Sequence, residues 1–189
     1  MKELLKKHIV EKLGRTPERL DTVIESFEEV KTKKKEVLLE VGQICNKVYF
    51  IAEGCLKIGT YNLNGEESTT NIAFEGEWRT SMSSFVNQQA SNERIVSVEA
   101  SCLLVIGRDR FLRLSQEIPE FEHIYKGLLE ESYSKSIERV QSLMAMDALD
   151  RLKWLLSQHP RIFTRLSNRL IASYLGLSEA TLSRLKAKL

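Results

Sequence analysis

Two short helical segments that meet at a glycine carry the most informative polar and basic side chains in this sequence, SNRLIASYLGLSEATLSRLKAKL. Ser167 is positioned to cap the first helix, and Gly176 follows that helix as a residue free to take positive φ. Ser178 is positioned to cap the second helix. This arrangement predicts a helix-turn-helix, which places its second helix in the major groove of duplex DNA.

The outward face of the second helix is rich in groups that hydrogen-bond to DNA. Arg184 can pair bidentately with guanine or hold a phosphate, and Lys186 and Lys188 supply charge to the phosphate backbone. We expect the recognition helix to span 178–189. The alternative is an ordinary helical hairpin with a solvated polar face. The predicted DNA-contacting residues are Ser167, Asn168, Arg169, Ser178, Glu179, Ala180, Thr181, Ser183, Arg184, Lys186 and Lys188.

Charge is distributed unevenly between this C-terminal region and the rest of the chain. Residues 146–189 contain eight Lys or Arg and three Asp or Glu, a net charge of +5. The other residues contain 20 basic and 23 acidic side chains, so the whole chain carries +2. A basic end on an acidic body favours an anionic partner for that end, although solvated helix faces would give the same count.

Side chains that support catalysis or bind metals are few and scattered. The three histidines lie outside the predicted strands, which argues against a metal-dependent cupin enzyme. The spacing of Cys45, Cys55 and Cys102 matches no zinc or iron–sulfur pattern, so we expect reduced, partly buried thiols. We predict no catalytic residues, no metal site and no cofactor, and we expect that the protein is not an enzyme.

Short stretches of alternating apolar and polar side chains occupy the region before residue 107. They predict antiparallel strands of a barrel or sandwich, with Asn64–Gly65 as a type I′ hairpin turn. Helical spacing over 3–13 predicts a helix before the strands. Thr16 and Pro17 resemble the cap and first turn of a second helix.

A long helical pattern begins at Pro119. Its apolar side chains recur every three or four residues over roughly 36 Å at 1.5 Å per residue, and a stripe of that length needs a long partner. Packing against its own barrel is one possibility, and pairing with the same helix of a second subunit is the interpretation that we favour. The predicted dimer-helix residues are Phe121, Tyr125, Leu128, Tyr133, Ile137, Val140 and Met144.

These elements predict an α+β fold in three parts. Residues 1–116 form N-terminal helices and an antiparallel double-stranded β-helix (a jelly roll), 117–145 form the long dimerisation helix, and 146–189 form a small all-α helix-turn-helix domain. No apolar run reaches the roughly 18 to 20 residues that span a bilayer, and the N-terminus lacks the apolar segment of a signal peptide. We therefore expect a cytoplasmic protein without a membrane partner.

Three segments together resemble the Crp/Fnr family of transcription regulators. IASYLGLSEATLSRLKAKL is similar to the family's DNA-reading end, EVLLEVGQICNKVYFIAEGCLKI to its strand–glycine–strand opening, and VEASCLLVIGRDRFLRL to the end of its cyclic-nucleotide-binding barrel. The long helix resembles the family's dimerisation helix. The resemblance implies a homodimeric regulator that binds double-stranded DNA and responds to a small effector in the barrel.

The segment FEGEWRTSMSSFVNQQASNERIVSVEA departs from the phosphate-binding cassette of those members that bind cyclic AMP. In those members a Gly-Glu pair and an Arg-Ser pair hold the ribose and the cyclic phosphate. Here Thr80 and Ser81 stand at the first pair, and Ser91 and Asn92 at the second. We therefore expect an effector other than cyclic AMP: another small anion, an apolar molecule, or no ligand at all.

Two arginines near the cassette are candidates for holding an anionic ligand. Arg79 and Arg94 would serve equally well as surface ion-pair partners. The family's other sensors do not fit, because the cysteines of an iron–sulfur cluster are absent and the histidines are scattered. The predicted effector pocket comprises Trp78, Arg79, Thr80, Ser81, Ser91, Asn92, Arg94, Ser132 and Ser136.

The DNA-reading end also departs from the family pattern. Members often carry a basic and an acidic residue directly after the second helix's cap, where this sequence has Glu179 and Ala180, whereas Arg184 is retained. Because the sequence ends at Leu189, we expect the β-hairpin wing to be missing or trimmed. These departures leave open a ligand-binding or protein-interaction module with a vestigial DNA-binding end, although the +5 charge of 146–189 argues against it.

Overall fold

The computed structural model describes residues 1–62 and 65–189, so the predicted turn at Asn64–Gly65 includes one residue, Asn64, outside the described part. Eight strands in the described ranges form two four-stranded antiparallel sheets, which confirms the predicted jelly-roll class. The strands are β1 (Glu28–Thr32), β2 (Val37–Leu39), β3 (Lys47–Glu53), β4 (Leu56–Tyr61), β5 (Glu67–Ala73), β6 (Trp78–Arg79), β7 (Arg94–Ser97) and β8 (Ser101–Gly107).

The strand order is β1-β8-β3-β6 in one sheet and β2-β7-β4-β5 in the other. Apolar side chains from both sheets form one core, in which Phe50, Leu56 and Ile95 are completely buried. The middle of β3 is buried on both faces, because the N-terminal helix α1 (Lys2–Leu13) packs against it. The His8 ring of α1 lies 5.4 Å from the Phe50 ring.

The second N-terminal helix begins later than predicted. Thr16 does not cap it, because Pro17 to Arg19 form a turn in which the Leu20 amide donates to the Pro17 carbonyl (3.2 Å). The helix α2 therefore runs over Leu20–Glu25. A further short helix, α3 (Met82–Asn87), lies within the cassette segment, which the strand patterns had not revealed.

The helices after the barrel follow the predicted periodicity. They are α4 (Arg108–Glu117), α5 (Pro119–Ala145), α6 (Ala148–Gln158), α7 (Ile162–Arg165), α8 (Asn168–Leu175) and α9 (Glu179–Lys186). The last helix is shorter than the predicted 178–189, because the Lys188 amide donates to the Leu185 carbonyl (3.0 Å) in a tighter turn. None of the helices in the described ranges combines the length and apolar character that crossing a membrane requires.

The long helix α5 has two different halves. In its first half Phe121 and Leu128 are buried, and the rings of Phe121 and Tyr125 lie 5.0 and 5.4 Å from that of Phe111 on α4. Phe121 and Leu128 are therefore covered by α4 and the barrel of their own chain, and Tyr125 is partly covered. The packing of this half needs no second copy, and its assignment to a dimer contact stays a prediction. In the second half the apolar side chains of Tyr133, Ile137, Val140, Leu143 and Met144 are exposed.

Candidate nucleic-acid interface and barrel cavity

The C-terminal helices form the predicted helix-turn-helix. The Ser167 hydroxyl accepts from the Leu170 amide (3.3 Å) at the start of α8, and the Ser178 hydroxyl accepts from the Thr181 amide (3.1 Å) at the start of α9. Each cap pairs an amide that a helix end leaves without a partner. Between the helices Gly176 takes a φ of +68°. Leu182 is completely buried and holds α9 against α8.

Substituting alanine for Gly176 is expected to lower the free energy of unfolding by about 1 kcal/mol, because an L side chain is strained at positive φ. The added Cβ would also lie 3.3 Å from Leu143 Cδ2. Gly127→Ala is the matched control: it lies inside α5 with nothing within 4 Å of the new Cβ. Gly127→Ala should raise the free energy of unfolding by roughly 0.5 to 1 kcal/mol, because alanine favours a helix interior more than glycine does. Urea denaturation measures both; equal effects of the two substitutions would contradict the turn geometry.

The outward face of α9 is basic. Arg184 lies along the helix, with its guanidinium donating to Thr181 Oγ1 (3.3 Å) and to the Ala180 carbonyl (3.4 Å). Lys186 donates to Asn168 Oδ1 (3.3 Å) and lies 4.0 Å from the centre of the Phe163 ring. Arg169 at the start of α8 and Lys188 just after α9 extend this basic face. Among the described residues no carboxylate forms an ion pair with any of these four cations.

The structure places all the predicted DNA-contacting residues at the surface of this unit. Thr181 is half-buried, and its hydroxyl lies 2.9 Å from that of the cap Ser178. The others are exposed: Ser167, Asn168, Arg169, Ser178, Glu179, Ala180, Ser183, Arg184, Lys186 and Lys188. The face therefore offers hydroxyl, amide and cationic groups together, which are the groups that hydrogen-bond to phosphates and base edges.

The helix-turn-helix packs against β5 of its own barrel. The Thr69 amide donates to the Ser173 hydroxyl (2.9 Å). Arg139 of α5 donates to the carbonyls of Tyr174 (2.7 Å) and Thr69 (3.1 Å), and its guanidinium lies 4.5 Å from the Tyr174 ring centre. One side chain of the long helix therefore holds the barrel and the C-terminal unit together.

A second contact between these units is an ion-pair cluster around Arg165 of α7. Its guanidinium donates to both carboxylate oxygens of Glu75 (2.9 and 2.7 Å) and also to Glu99. Burial opposes ionisation of Glu75, but hydrogen bonds from Arg165 outweigh it and lower the pKa of that carboxyl. In the sequence Arg165 is only one of the basic residues of the C-terminal end, and its spacing does not indicate this contact.

A cavity of about 270 Å³ lies between the cassette segment, the strands and α5; we call it the barrel cavity. Eight of the nine predicted effector-pocket residues line it: Trp78, Arg79, Thr80, Ser81, Ser91, Asn92, Ser132 and Ser136. The placement of Arg94 there was wrong. Arg94, at the start of β7, pairs with Glu40 (2.9 Å) next to β2 and with Glu67 (3.7 Å) on β5, and it does not line the cavity.

Two of the cassette residues that line this cavity form a hydrogen bond with each other. Ser91 and Ser81 are both buried, and the Ser91 hydroxyl donates to the Ser81 hydroxyl (2.9 Å). The Ser91 oxygen also accepts from the Glu93 amide (3.0 Å). Neither residue carries a charge, so this part of the wall has no cation to hold a cyclic phosphate.

The charged groups of the cavity come from elsewhere. Glu77 pairs with Arg79 (3.3 Å) and with Lys135 of α5, and Lys135 also pairs with Glu131 (2.8 Å). Glu131 is held on its other side by Lys12 (2.7 Å) of α1. Burial opposes ionisation of Glu131, but the hydrogen bonds and charges of both lysines outweigh it and lower the pKa to about 2.

This network predicts a specific acid sensitivity. Since the pKa of Glu131 falls from 4.5 to about 2 on folding, its carboxylate stabilises the fold fully above pH 4.5, and that contribution is lost as the pH falls towards 2. Between pH 5 and 3 the wild type should lose about 1 kcal/mol more stability than Glu131→Gln, a figure reduced for the partly exposed carboxylate. Glu130→Gln, an exposed neighbour, should behave like the wild type; denaturation at several pH values compares them.

Sequence analysis also missed the groups that connect the cavity to the C-terminal unit. Glu131, Lys135 and Arg139 recur every four residues along α5, and together they face Lys12, Glu77 and Tyr174. The four-residue spacing of these charged side chains was the sequence feature that could have indicated a shared helix face. The three cysteines are free, as expected, with Cys45 and Cys55 buried. In the described ranges no group of three or more His, Cys, Asp or Glu side chains is placed to hold a metal ion.

Comparison with known proteins finds similar proteins among regulators. Residues 29–117 match the family model described as the cyclic nucleotide-binding domain. An anaerobic regulatory protein of Pasteurella multocida is 28% identical over 183 residues, covering 91% of this chain and 66% of that protein. This chain therefore spans just under two thirds of that relative's length. A cyclic AMP receptor protein of Thermus thermophilus is 23% identical over 175 residues, covering 90% and 81%.

Structural similarity agrees with these matches. FixK2 from Bradyrhizobium japonicum superposes with a TM-score of 0.77 at 15% identity, covering 86% of this chain and 84% of that one. At this level of identity the similarity establishes the fold, including the barrel, the long helix and the C-terminal helices.

Proposed function

Since the chain belongs to the Crp/Fnr family, we propose that it is a transcription regulator that binds double-stranded DNA as a homodimer, with α9 in the major groove. The observation that carries the proposal is the basic face of α9. The four cations of this face form no ion pair within the described residues, so phosphates would displace water and neutral hydrogen-bond acceptors rather than a carboxylate.

The second half of α5 supports the homodimer. Tyr133, Ile137, Val140 and Met144 follow one another at spacings of four, three and four, and their exposed fractions are 69%, 40%, 52% and 83%. An apolar stripe of this periodicity matches the same stripe of a second, parallel copy. Two copies of α9 related by such an axis would read half-sites roughly 34 Å apart, which is one turn of DNA.

The same helix supports regulation by an effector in the barrel cavity. Ser132, Lys135 and Ser136 of α5 line the cavity, and Arg139, one turn further on, contacts the helix-turn-helix. A ligand that moves α5 would therefore change both the dimer contact and the position of α9. In this proposal residues 1–116 are the sensor, 117–145 the dimerisation helix and 146–189 the DNA-binding domain.

The protein would act on DNA without catalysing a reaction, in the cytoplasm where bacterial DNA lies. Its relatives are regulators rather than enzymes. The alternative, a ligand-binding module with a vestigial DNA-binding end, is not favoured, because the capped helices and the unpaired cations of α9 are intact.

Fluorescence polarisation with a random-sequence duplex tests DNA binding directly. If the dimer makes six to ten contacts with DNA phosphates, raising the salt from 50 to 200 mM should weaken binding by roughly 10³- to 10⁵-fold. The experiment is run with and without cyclic AMP, which we expect to have no effect. Absence of binding at low salt under both conditions would overturn the proposal in favour of the protein-interaction module.

A further inference from the structure

The barrel cavity has a charge pattern that the cassette does not explain. Its positive wall is formed by Arg79 and Lys135, which share the carboxylate of Glu77. Lys135 also shares Glu131 with Lys12. Of these groups Arg79, Lys135 and Glu131 line the cavity, so two cations and one carboxylate stand on this side.

Arg79 also carries an unused donor. Its Nη atoms donate to the Trp78 carbonyl (2.7 Å), to Asn71 Oδ1 (3.3 Å) and to Glu77 (3.3 Å). Its Nε is buried and is the one such side-chain nitrogen or oxygen among the described residues without a hydrogen-bond partner. Buried polar groups are nearly always paired, so this unpaired donor leaves Arg79, which lines the cavity, with capacity for a further acceptor.

On the cassette side the cavity carries a negative charge. Glu93 lines the cavity and is half-buried, and its carboxylate makes no ion pair or hydrogen bond with any residue in the described ranges. A simple anion, including a cyclic nucleotide, would meet this carboxylate without a compensating cation on that wall. A ligand group that carries positive charge would be attracted to it.

The rest of the cavity is small and partly apolar. Phe85, Phe111, Tyr125 and Leu128 contribute apolar wall on the side towards α4 and α5. The volume of about 270 Å³ is slightly below that of pockets for drug-sized molecules, which begin at roughly 300 Å³. The ligand is therefore small and has an apolar portion.

We propose that the barrel cavity binds an amino acid with an apolar side chain. Its carboxylate faces Arg79 and Lys135, its ammonium group faces Glu93, and its side chain packs on the apolar wall. This inference rests on the proposed function only in treating the cavity as the effector site.

Thermal shift and isothermal titration with the full chain test the proposal. The probes are leucine and phenylalanine, with valine, isoleucine, methionine, tyrosine and tryptophan as further side chains. Matched analogues remove one charge each: 4-methylpentanoate and 3-phenylpropanoate lack the ammonium group, and 3-methylbutylamine and 2-phenylethylamine lack the carboxylate. At least one amino acid should bind, and both of its analogues should bind at least about tenfold more weakly, because each leaves a charged wall unpaired.

Glu93→Gln tests the assignment of the ammonium group. It should reduce the preference for the amino acid over its des-amino analogue by about tenfold, which is the loss of one charged hydrogen bond. Glu29→Gln, which makes the same change on exposed β1 away from the cavity, should leave the preference unchanged. Circular dichroism confirms that both variants fold.

Three outcomes would overturn the inference: no amino acid binds, the des-amino acid binds equally well, or Glu93→Gln keeps the full preference. DNA binding measured on the same preparation separates this failure from failure of the proposed function. Intact DNA binding with no amino-acid binding would leave the regulator standing and remove only the ligand assignment.

Discussion

Val140→Asp is expected to split the homodimer and to weaken binding to a two-site duplex by at least roughly 100-fold, because the second half-site is then no longer bound intramolecularly. Val140 lies in the middle of the exposed stripe of α5. In a dimer its side chain would be buried against the partner helix, where an unpaired carboxylate is strongly disfavoured. Light scattering reports the mass, and fluorescence polarisation the affinity.

A matched control adds the same charge to the same helix. Ser134→Asp places an exposed carboxylate on α5 six residues before Val140 and about 120° from it around the helix axis, at a position that is not part of the stripe. It should leave the mass and the affinity unchanged. A Val140→Asp protein that remains dimeric, with DNA affinity equal to the wild type, would show that α5 is not the dimer contact.

Arg184→Ala is expected to weaken binding to the preferred DNA sequence by about 1 to 3 kcal/mol, or roughly 5- to 150-fold. The guanidinium lies on the outer face of α9 and makes only long hydrogen bonds, to Thr181 and Ala180. DNA therefore does not have to break an ion pair to bind it. Equilibrium binding to specific and random duplexes at two salt concentrations measures the loss.

Arg184→Lys separates the two roles of this side chain. It keeps the charge and therefore the salt dependence, but it lacks the planar fork that pairs with guanine. If Arg184 reads a base, the lysine variant should lose sequence preference while its binding to random DNA is retained. Lys34→Ala, at an exposed turn of the barrel, is the control for loss of one positive charge. Equal losses in Arg184→Ala and Lys34→Ala would exclude a specific contact.

Local sequence signals were sufficient where neighbouring residues determine the structure. The Ser167 and Ser178 caps and the positive φ of Gly176 depend on residues within one turn of each other, and they were predicted correctly. The predicted helix start at Thr16 was wrong, because the same local residues also fit a turn. The turn after Pro17 pairs the Leu20 amide as a helix start would.

Contacts between distant segments could not be read from spacing. Arg79 and Arg94 were equal candidates in the sequence, and only the position of Glu40, beside β7, decides that Arg94 turns away from the cavity. The stripe of α5 was continuous in the sequence, but α4 covers its first half. Arg139 and Arg165 were missed because their partners on the barrel lie about 70 to 90 residues away in the chain.

Selection of binding sites from a random duplex library is the most direct test of the central claim, that this chain is a dimeric DNA-binding regulator. We predict enrichment of a near-palindrome whose half-sites are centred about 10 base pairs apart, one turn of DNA. The Arg184→Ala variant should enrich the same spacing with one base pair relaxed in each half-site. Recovery of an unenriched library by the wild type at low salt, despite a folded and dimeric protein, would contradict the claim.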